Sequence, residues 1–545
     1  MRRDPGALFA AVAGTAALAL AALDLARHRA FWSPDSGLRF LQVEALVRQG
    51  YRRVSIPYPG ARFDPGARYL PFGDWFLVRR GGQLCVVYPP YFPALASLPY
   101  RALGFAGLLV LPLAGAVAVL RIIAHLQKAS EPPWPALAVL AVLSTPLAVY
   151  GLLFWDHAPA AGLGAGAAAL VTAAGRQKRD APAFLSGLLA GLGLWLRTEM
   201  YLFTVALMLA AWRVFGRRVA AWVAVGALVP ALAVWTLNLH LFGHPLGLKG
   251  EAAVGARVAE VRSAAQAVEG WAKRRLLVAY DLLISTEQPQ NGEQPERIGP
   301  SLAVSGAVVA GSALLTWGAW SRDVARILVG AGGCRGRGFG PRLRRGHRSA
   351  PHGFAAHHAV CGRPPAGRGQ SEPGGPVPPA CWTLYFAAVL ATASVGGLQW
   401  GPRYLLPAIP LIVWAAVAAL APLSRSWPHG ARAMHLAVAI LTAGGLTVQA
   451  AGVLAVRSDG AALVALQDAI ERRSAPVLVS GAEPVLRALA PLYFRRVLLR
   501  VDGPEALRDL VRTLSRYRVR EWTYVPFTGA RFDRRRIERW SEEAG

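Results

Sequence analysis

Apolar residues occur along this chain in runs of roughly 14 to 23, the length that crosses a bilayer core as a helix. The runs fall near 5–25, 105–124, 136–154, 158–174, 183–196, 200–213, 219–241, 301–320, 382–399, 404–422 and 433–455. Polar stretches rich in arginine separate them. The pattern predicts a mainly α fold, a polytopic transmembrane helix bundle of about 11 spans. The pair 183–196 and 200–213 is short for two full crossings and reads also as a re-entrant hairpin. The first run follows Arg2 and Arg3. A cleavable signal peptide is the alternative there, but the many later spans favour a retained anchor. From Arg457 the pattern changes. Helix-like "AALVALQDAIERR" leads to strand-like "PVLVS" and "RVLLR", a helix over Pro504–Arg516, and "EWTYV". Strands alternating with helices predict a parallel sheet. The expected organisation is therefore a transmembrane domain over 1–456, including a long first outer loop at 28–104, and a small C-terminal α/β domain over 457–545.

Composition agrees with that reading. Of 545 residues, 54% are hydrophobic and 17% charged, whereas a soluble chain of this size would divide into several domains with charged surfaces. The net charge of +28 comes with no RNA- or DNA-binding motif, so nucleic acid is not an expected partner. The excess instead sets orientation. If the N-terminus is cytoplasmic, the inner loops carry Arg176, Lys178, Arg179, Arg213, Arg217, Arg218, Arg322, Arg326, Arg425 and Arg432, while the short outer connections carry only Arg197 and Arg403. That is the positive-inside asymmetry. It predicts a multi-pass protein of the cell's inner (plasma) membrane, with 28–104, 242–300 and the tail outside. The four cysteines, Cys85, Cys334, Cys361 and Cys381, have neither CxxC nor metal-ligand spacing, so no metal site is expected.

One segment departs from the rest. In 331–380, Gly, Pro, Arg and His make up well over half the residues and Glu372 is the one acid. Without periodicity or sufficient apolar surface it reads as a disordered cytoplasmic loop. It reads equally as GC-rich codons translated out of frame, which resequencing the gene decides. Its histidines, among them His347 and His352, are not candidate metal ligands on either reading.

The ionisable residues beside the spans collect on the outer side. Asp35 follows the first span in "SPDSG", Asp156 and His157 stand in "FWDHAP", Arg197 and Glu199 in "LWLRTEMY", and Arg403 in "GLQWGPRYLLPAIP". Ionisable groups at membrane depth are costly and mark function. Each also has a plain structural role open to it. Asp35 can cap a helix, Asp156 and His157 can anchor the interface beside Trp155, Arg197 and Glu199 can pair locally, and Arg403 can snorkel.

The order of these motifs, with "DWFLVRRGGQLCVVYPPYFPALASLPYRALG", "GLLAGLGLWLRTEMYLF", "NLHLFGHPLG" and "GLQWGPRYLLPAIPLIV", resembles the GT-C superfamily of integral-membrane glycosyltransferases. The likeness is greatest to bacterial relatives of the protein O-mannosyltransferases and aminoarabinose transferases. It runs to about residue 422 and excludes 331–380. The resemblance implies transfer of a sugar from a polyprenyl-phosphate donor to an acceptor on the outer face, with no cofactor. It implies Asp35 as general base, Asp156 and His157 in a supporting or acceptor-side role, and Arg403 on the donor phosphate with Arg197 assisting. A lone Asp followed by Ser stands where some relatives carry paired acids, so their metal dependence is not expected here. The competing class is a multi-pass transporter or lipid flippase. It would show inverted repeats and charged or broken helices at the midplane, and neither is found in the sequence.

Overall fold

The computed structural model describes residues 5–31, 33–72, 76–127, 133–251, 377–392, 403–426, 428–519 and 521–525. The span expected at 301–320 lies outside the described residues, as does 331–376. Val377–Ala380, expected to close the irregular segment, instead form the first turn of a helix in which Val377 and Cys381 are fully buried.

The described residues include sixteen bounded α-helices. The first eleven are α1 (Pro5–Ala26), α2 (Pro34–Arg48), α3 (Tyr91–Leu103), α4 (Phe105–Leu108), α5 (Val110–Leu126), α6 (Trp134–Leu143), α7 (Leu147–Tyr150), α8 (His157–Gln177), α9 (Asp180–Leu196), α10 (Glu199–Phe215) and α11 (Arg217–Phe242). After them come α12 (Val377–Thr392), α13 (Ile409–Ser426), α14 (Pro428–Glu471), α15 (Glu483–Ala488) and α16 (Pro504–Arg516). Among these, α1, α8, α11 and α14 are long and apolar enough to cross a membrane. Their outward faces are apolar too: Leu8, Phe9 and Leu20 on α1, Leu232 and Leu239 on α11, and Leu436, Ile440 and Leu454 on α14 are all exposed. Rows of exposed leucine on long helices are what lipid, and not water, accommodates.

Three expectations change in detail. The run 136–154 is not one helix, because Pro146 lacks an amide donor and breaks it between α6 and α7. The short pair 183–196 and 200–213 lies within longer, 17-residue helices, Asp180–Leu196 and Glu199–Phe215, each about 26 Å long at 1.5 Å per residue. The span near 433–455 and the helix-like stretch that follows it are a single 44-residue helix, α14. Its continuity through Arg457 and Asp459 is supported by the ion pair of Arg457 with Asp24 at the end of α1 (3.1 Å).

Close packing in the bundle depends on small residues. A Cβ on Gly187 of α9 would land on the Val223 carbonyl of α11, and one on Gly226 of α11 would land on the Phe184 carbonyl. Glycine at both places lets the two backbones touch, which is how helices associate where lipid supplies no hydrophobic drive. The helices alternate in direction, so the α8–α9 and α10–α11 turns lie at one end. There Asp180 receives two bonds from Arg218, 3.0 and 2.6 Å long. The α7–α8 and α9–α10 joints lie at the opposite end.

At that opposite end the first loop folds against the chain's last elements. Strands β1 (Leu77–Arg80) and β2 (Gln83–Val86) form an antiparallel hairpin. Strands β3 (Val477–Ser480), β4 (Val497–Arg500) and β5 (Trp522–Tyr524) form a parallel sheet in the order β4-β3-β5. Tyr69 of the first loop shares one core with Val477, Val479, Leu499, Leu510 and Leu514. The Arg500 amide donates to the Tyr69 carbonyl (3.0 Å) and the Tyr493 hydroxyl to the Pro57 carbonyl (3.2 Å). Arg48, at the end of α2, lies over the Phe494 ring at 5.0 Å. The C-terminal elements therefore buttress α2.

Candidate active site

Helix α2 is set by its first residues. Ser33 is the N-cap and its hydroxyl accepts from the Asp35 amide (3.2 Å), with Pro34 at the first helical position. Asp35 is thus not the cap. It stands in the first turn, where a carboxylate suits the helix dipole, and its side chain is left for other partners. The Tyr88 hydroxyl donates to Asp35 Oδ1 at 2.9 Å. Asp35 Oδ2 faces Arg403 Nη1 at 4.0 Å, and these two side chains are 23% and 11% exposed.

Behind that pair lies a buried charge cluster centred on Asp156, the residue before α8. Arg39, one turn after Asp35 on α2, donates to Asp156 Oδ2 at 2.8 Å. Arg197, at the α9–α10 joint, donates to Asp156 Oδ1 at 2.7 Å. The same Arg197 also pairs with Glu199 at 3.0 and 3.1 Å, and Lys249 reaches Glu199 at 3.6 Å. The Arg39, Asp156 and Arg197 side chains are 7% exposed or less. Burial alone would raise the Asp156 carboxyl, but the guanidiniums of Arg39 and Arg197 outweigh it and hold the group well below the ordinary carboxylate range.

His157 packs against both the Tyr150 and Trp155 rings, 4.8 Å from each. Arg197 Nη1 is 3.0 Å from His157 Nδ1. A guanidinium only donates, so a bond there needs Nδ1 as acceptor and the ring proton on Nε2, while Asp156 Oδ1 lies 3.4 Å from the same Nδ1. Among the described residues that buried Nε2 has no partner, and neither has Arg403 Nε. Arg403 is held from the other side: its Nη2 lies 3.0 Å from the Tyr404 hydroxyl, and the Tyr404 carbonyl accepts from Tyr385 (2.6 Å).

All five residues singled out in the sequence, Asp35, Asp156, His157, Arg197 and Arg403, therefore meet in one network at one end of the bundle. Neither Asp156 nor His157 is a surface anchor, since both are 3% exposed. Arg403 is mostly enclosed. Three members escaped the sequence reading. Arg39 could have been found by its four-residue spacing from Asp35 on one helix face, whereas Tyr88 lies in an irregular part of the first loop and Lys249 in a helical stretch at 247–251, and neither carries such a signal. Among the described residues no group of three His, Cys, Asp or Glu side chains is placed to hold a metal ion.

No family model matches the chain, and no curated protein is similar to it. Solved structures similar to it include two of one protein. One is ArnT from Cupriavidus metallidurans bound to undecaprenyl phosphate, at 13% identity over 94% of this chain and 89% of that one, with a TM-score of 0.48. The other is ArnT from the same organism in the apo state, at 15% identity over 93% and 88% of the two chains, with a TM-score of 0.44.

Proposed function

We propose that this chain is a membrane glycosyltransferase that moves a sugar from a polyprenyl-phosphate donor to an acceptor hydroxyl at the outer face of the inner membrane. The observation that carries the reading is the pairing of Asp35 with Arg403 at the mouth of an otherwise enclosed, ion-paired cluster. It sets a carboxylate suited to accept a proton 4.0 Å from a guanidinium suited to bind a phosphate. The order of the motifs, which resembles that of GT-C enzymes, points the same way.

On this reading the acceptor hydroxyl gives its proton to Asp35 as its oxygen bonds to the anomeric carbon. The bond from that carbon to the phosphate oxygen breaks, and polyprenyl phosphate leaves with the electron pair. Arg403 meets the charge that builds on the leaving phosphate. Its buried Nε, without a partner among the described residues, is a donor suited to such an oxygen. Arg197 has its donors engaged by Asp156 and Glu199, so its part is to hold the cluster in place beside the phosphate. Asp156 fixes Arg39, and through it the first turn of α2. The lipid tail of the donor lies among the spans. The basic loops at the far end of the bundle support a cytoplasmic N-terminus with the C-terminal elements outside.

The test is transfer by purified protein from a panel of labelled polyprenyl-phosphate sugars, read as release of polyprenyl phosphate. Asp35→Asn keeps the size of the side chain and removes its ability to take a proton. A loss of about 10²–10⁴-fold in turnover is expected at unchanged protein level. Wild-type turnover in Asp35→Asn would remove the mechanism.

A further inference from the structure

Tyr88 is gripped by a single face of α2. Asp35, Arg39 and Gln42 are spaced four and three residues apart, so they line one stripe of that helix, and each meets a different part of the tyrosine. The Asp35 carboxylate accepts from its hydroxyl (2.9 Å). The Arg39 guanidinium lies over its ring, 4.4 Å from the centroid, and the Gln42 amide donates to its backbone carbonyl (2.9 Å). The Phe76 ring packs beside it at 6.2 Å. Tyr88 sits between β2 and α3, in a part of the first loop with no regular structure. A residue held at three points by one helix is fixed relative to that helix, and the dependence runs both ways.

We infer that Tyr88 is a positioning residue for Asp35: by donating to Oδ1 it fixes the carboxylate rotamer and presents Oδ2, the oxygen turned toward Arg403, to the acceptor's proton. The inference rests on the transferase reading above for its catalytic meaning, while the contact itself is independent of that reading. The chemistry is consistent with the geometry. Burial, reinforced by the charge of Asp35, keeps the Tyr88 phenol well above its usual range, so it donates throughout the working pH span and never competes for the proton. Charge-assisted bonds of this kind are stronger than neutral ones, and a base held at the reacting distance avoids reorganisation during the reaction.

The experiment compares Tyr88→Phe with Tyr88→Leu. Phenylalanine keeps the ring under Arg39 and removes only the hydroxyl, whereas leucine removes both. Sugar transfer is measured as kcat and KM, and a second readout needs no activity. Full-length protein in detergent is treated with a hydrophobic carbodiimide, and modification of Asp35 is followed by mass spectrometry, with Asp35→Asn as the blank. Tyr88→Phe is expected to lower kcat about tenfold or more with the donor KM unchanged, at wild-type thermal stability, and to speed the labelling of Asp35 severalfold. A role in packing alone would leave Tyr88→Phe silent in both readouts and make Tyr88→Leu unstable, and that result would overturn the inference. If labelling accelerates while neither wild-type nor variant protein transfers any sugar, the positioning contact stands and the transferase reading fails.

Discussion

Replacing Asp156 by asparagine tests the centre of the buried cluster. In the wild-type protein one carboxylate faces two guanidiniums at 2.8 and 2.7 Å, with all three side chains 7% exposed or less. Asparagine fills the same space and keeps one acceptor oxygen, but the negative charge is gone. Arg197 retains Glu199 at 3.0 Å, while Arg39 loses its carboxylate. Removing one partner of a buried ion pair costs about 3–5 kcal/mol, and the retained oxygen and the Glu199 pair place the expected loss near ~3 kcal/mol, on the order of a hundredfold in the folding equilibrium. The pH dependence follows from the depressed Asp156 carboxyl. A group lowered on folding contributes stability above its unfolded value, near about pH 4, and the contribution is lost as pH falls through the folded value. The gap between wild type and Asp156→Asn should therefore be full at neutral pH and close only in acid. The assay is the midpoint of heat-induced loss of the monodisperse peak in detergent, measured from pH 3.5 to 8. Arg39→Met alone and combined with Asp156→Asn completes a double-mutant cycle. Equal midpoints for wild type and Asp156→Asn at neutral pH, or a gap that widens toward acid, would refute the reasoning.

Two further outcomes are expected. Arg403→Ala should weaken use of the lipid-linked donor strongly while membrane insertion is unchanged, and Arg403→Lys should recover only part, because a point charge lacks the fork geometry; equal transfer by all three forms would mean that Arg403 binds no phosphate. Gly187→Val should cost about 1–3 kcal/mol or more by forcing α9 off α11, seen as a lower yield of monodisperse protein, while Leu185→Val on the same helix, at a side chain 45% exposed, should leave the yield unchanged.

The sequence shows where the helices are because lipid demands apolar length, and it shows which end holds the polar groups because helix ends follow from helix runs. Asp35, Asp156, Arg197 and Arg403 were legible for that reason alone. What joins them was not. The bond between Asp35 and Tyr88 closes a gap of 53 residues and that between Arg39 and Asp156 one of 117, and neither distance leaves a local pattern. The continuous α14 was hidden for a related reason. Arg457, Asp459 and Gly460 look like the end of a span when read alone, but Asp24 on α1 neutralises Arg457, so the helix continues. Ser33, Pro34 and Asp35 all suit a helix start, and which of them caps is decided by geometry at the level of a single hydrogen bond.

The packing of the C-terminal strands on the first loop also has a meaning in time. Pro57 and Tyr493 are 436 residues apart in the chain. At translation rates of about 5–20 residues per second, the loop bearing Asp35 is made some 20 to 90 s before the strands that complete its core. During that interval Tyr69 and its neighbours have no final partner, and α2 waits with its supporting face uncovered. Completion of the candidate site then waits for the C-terminal strands, however early Asp35 and Asp156 were made.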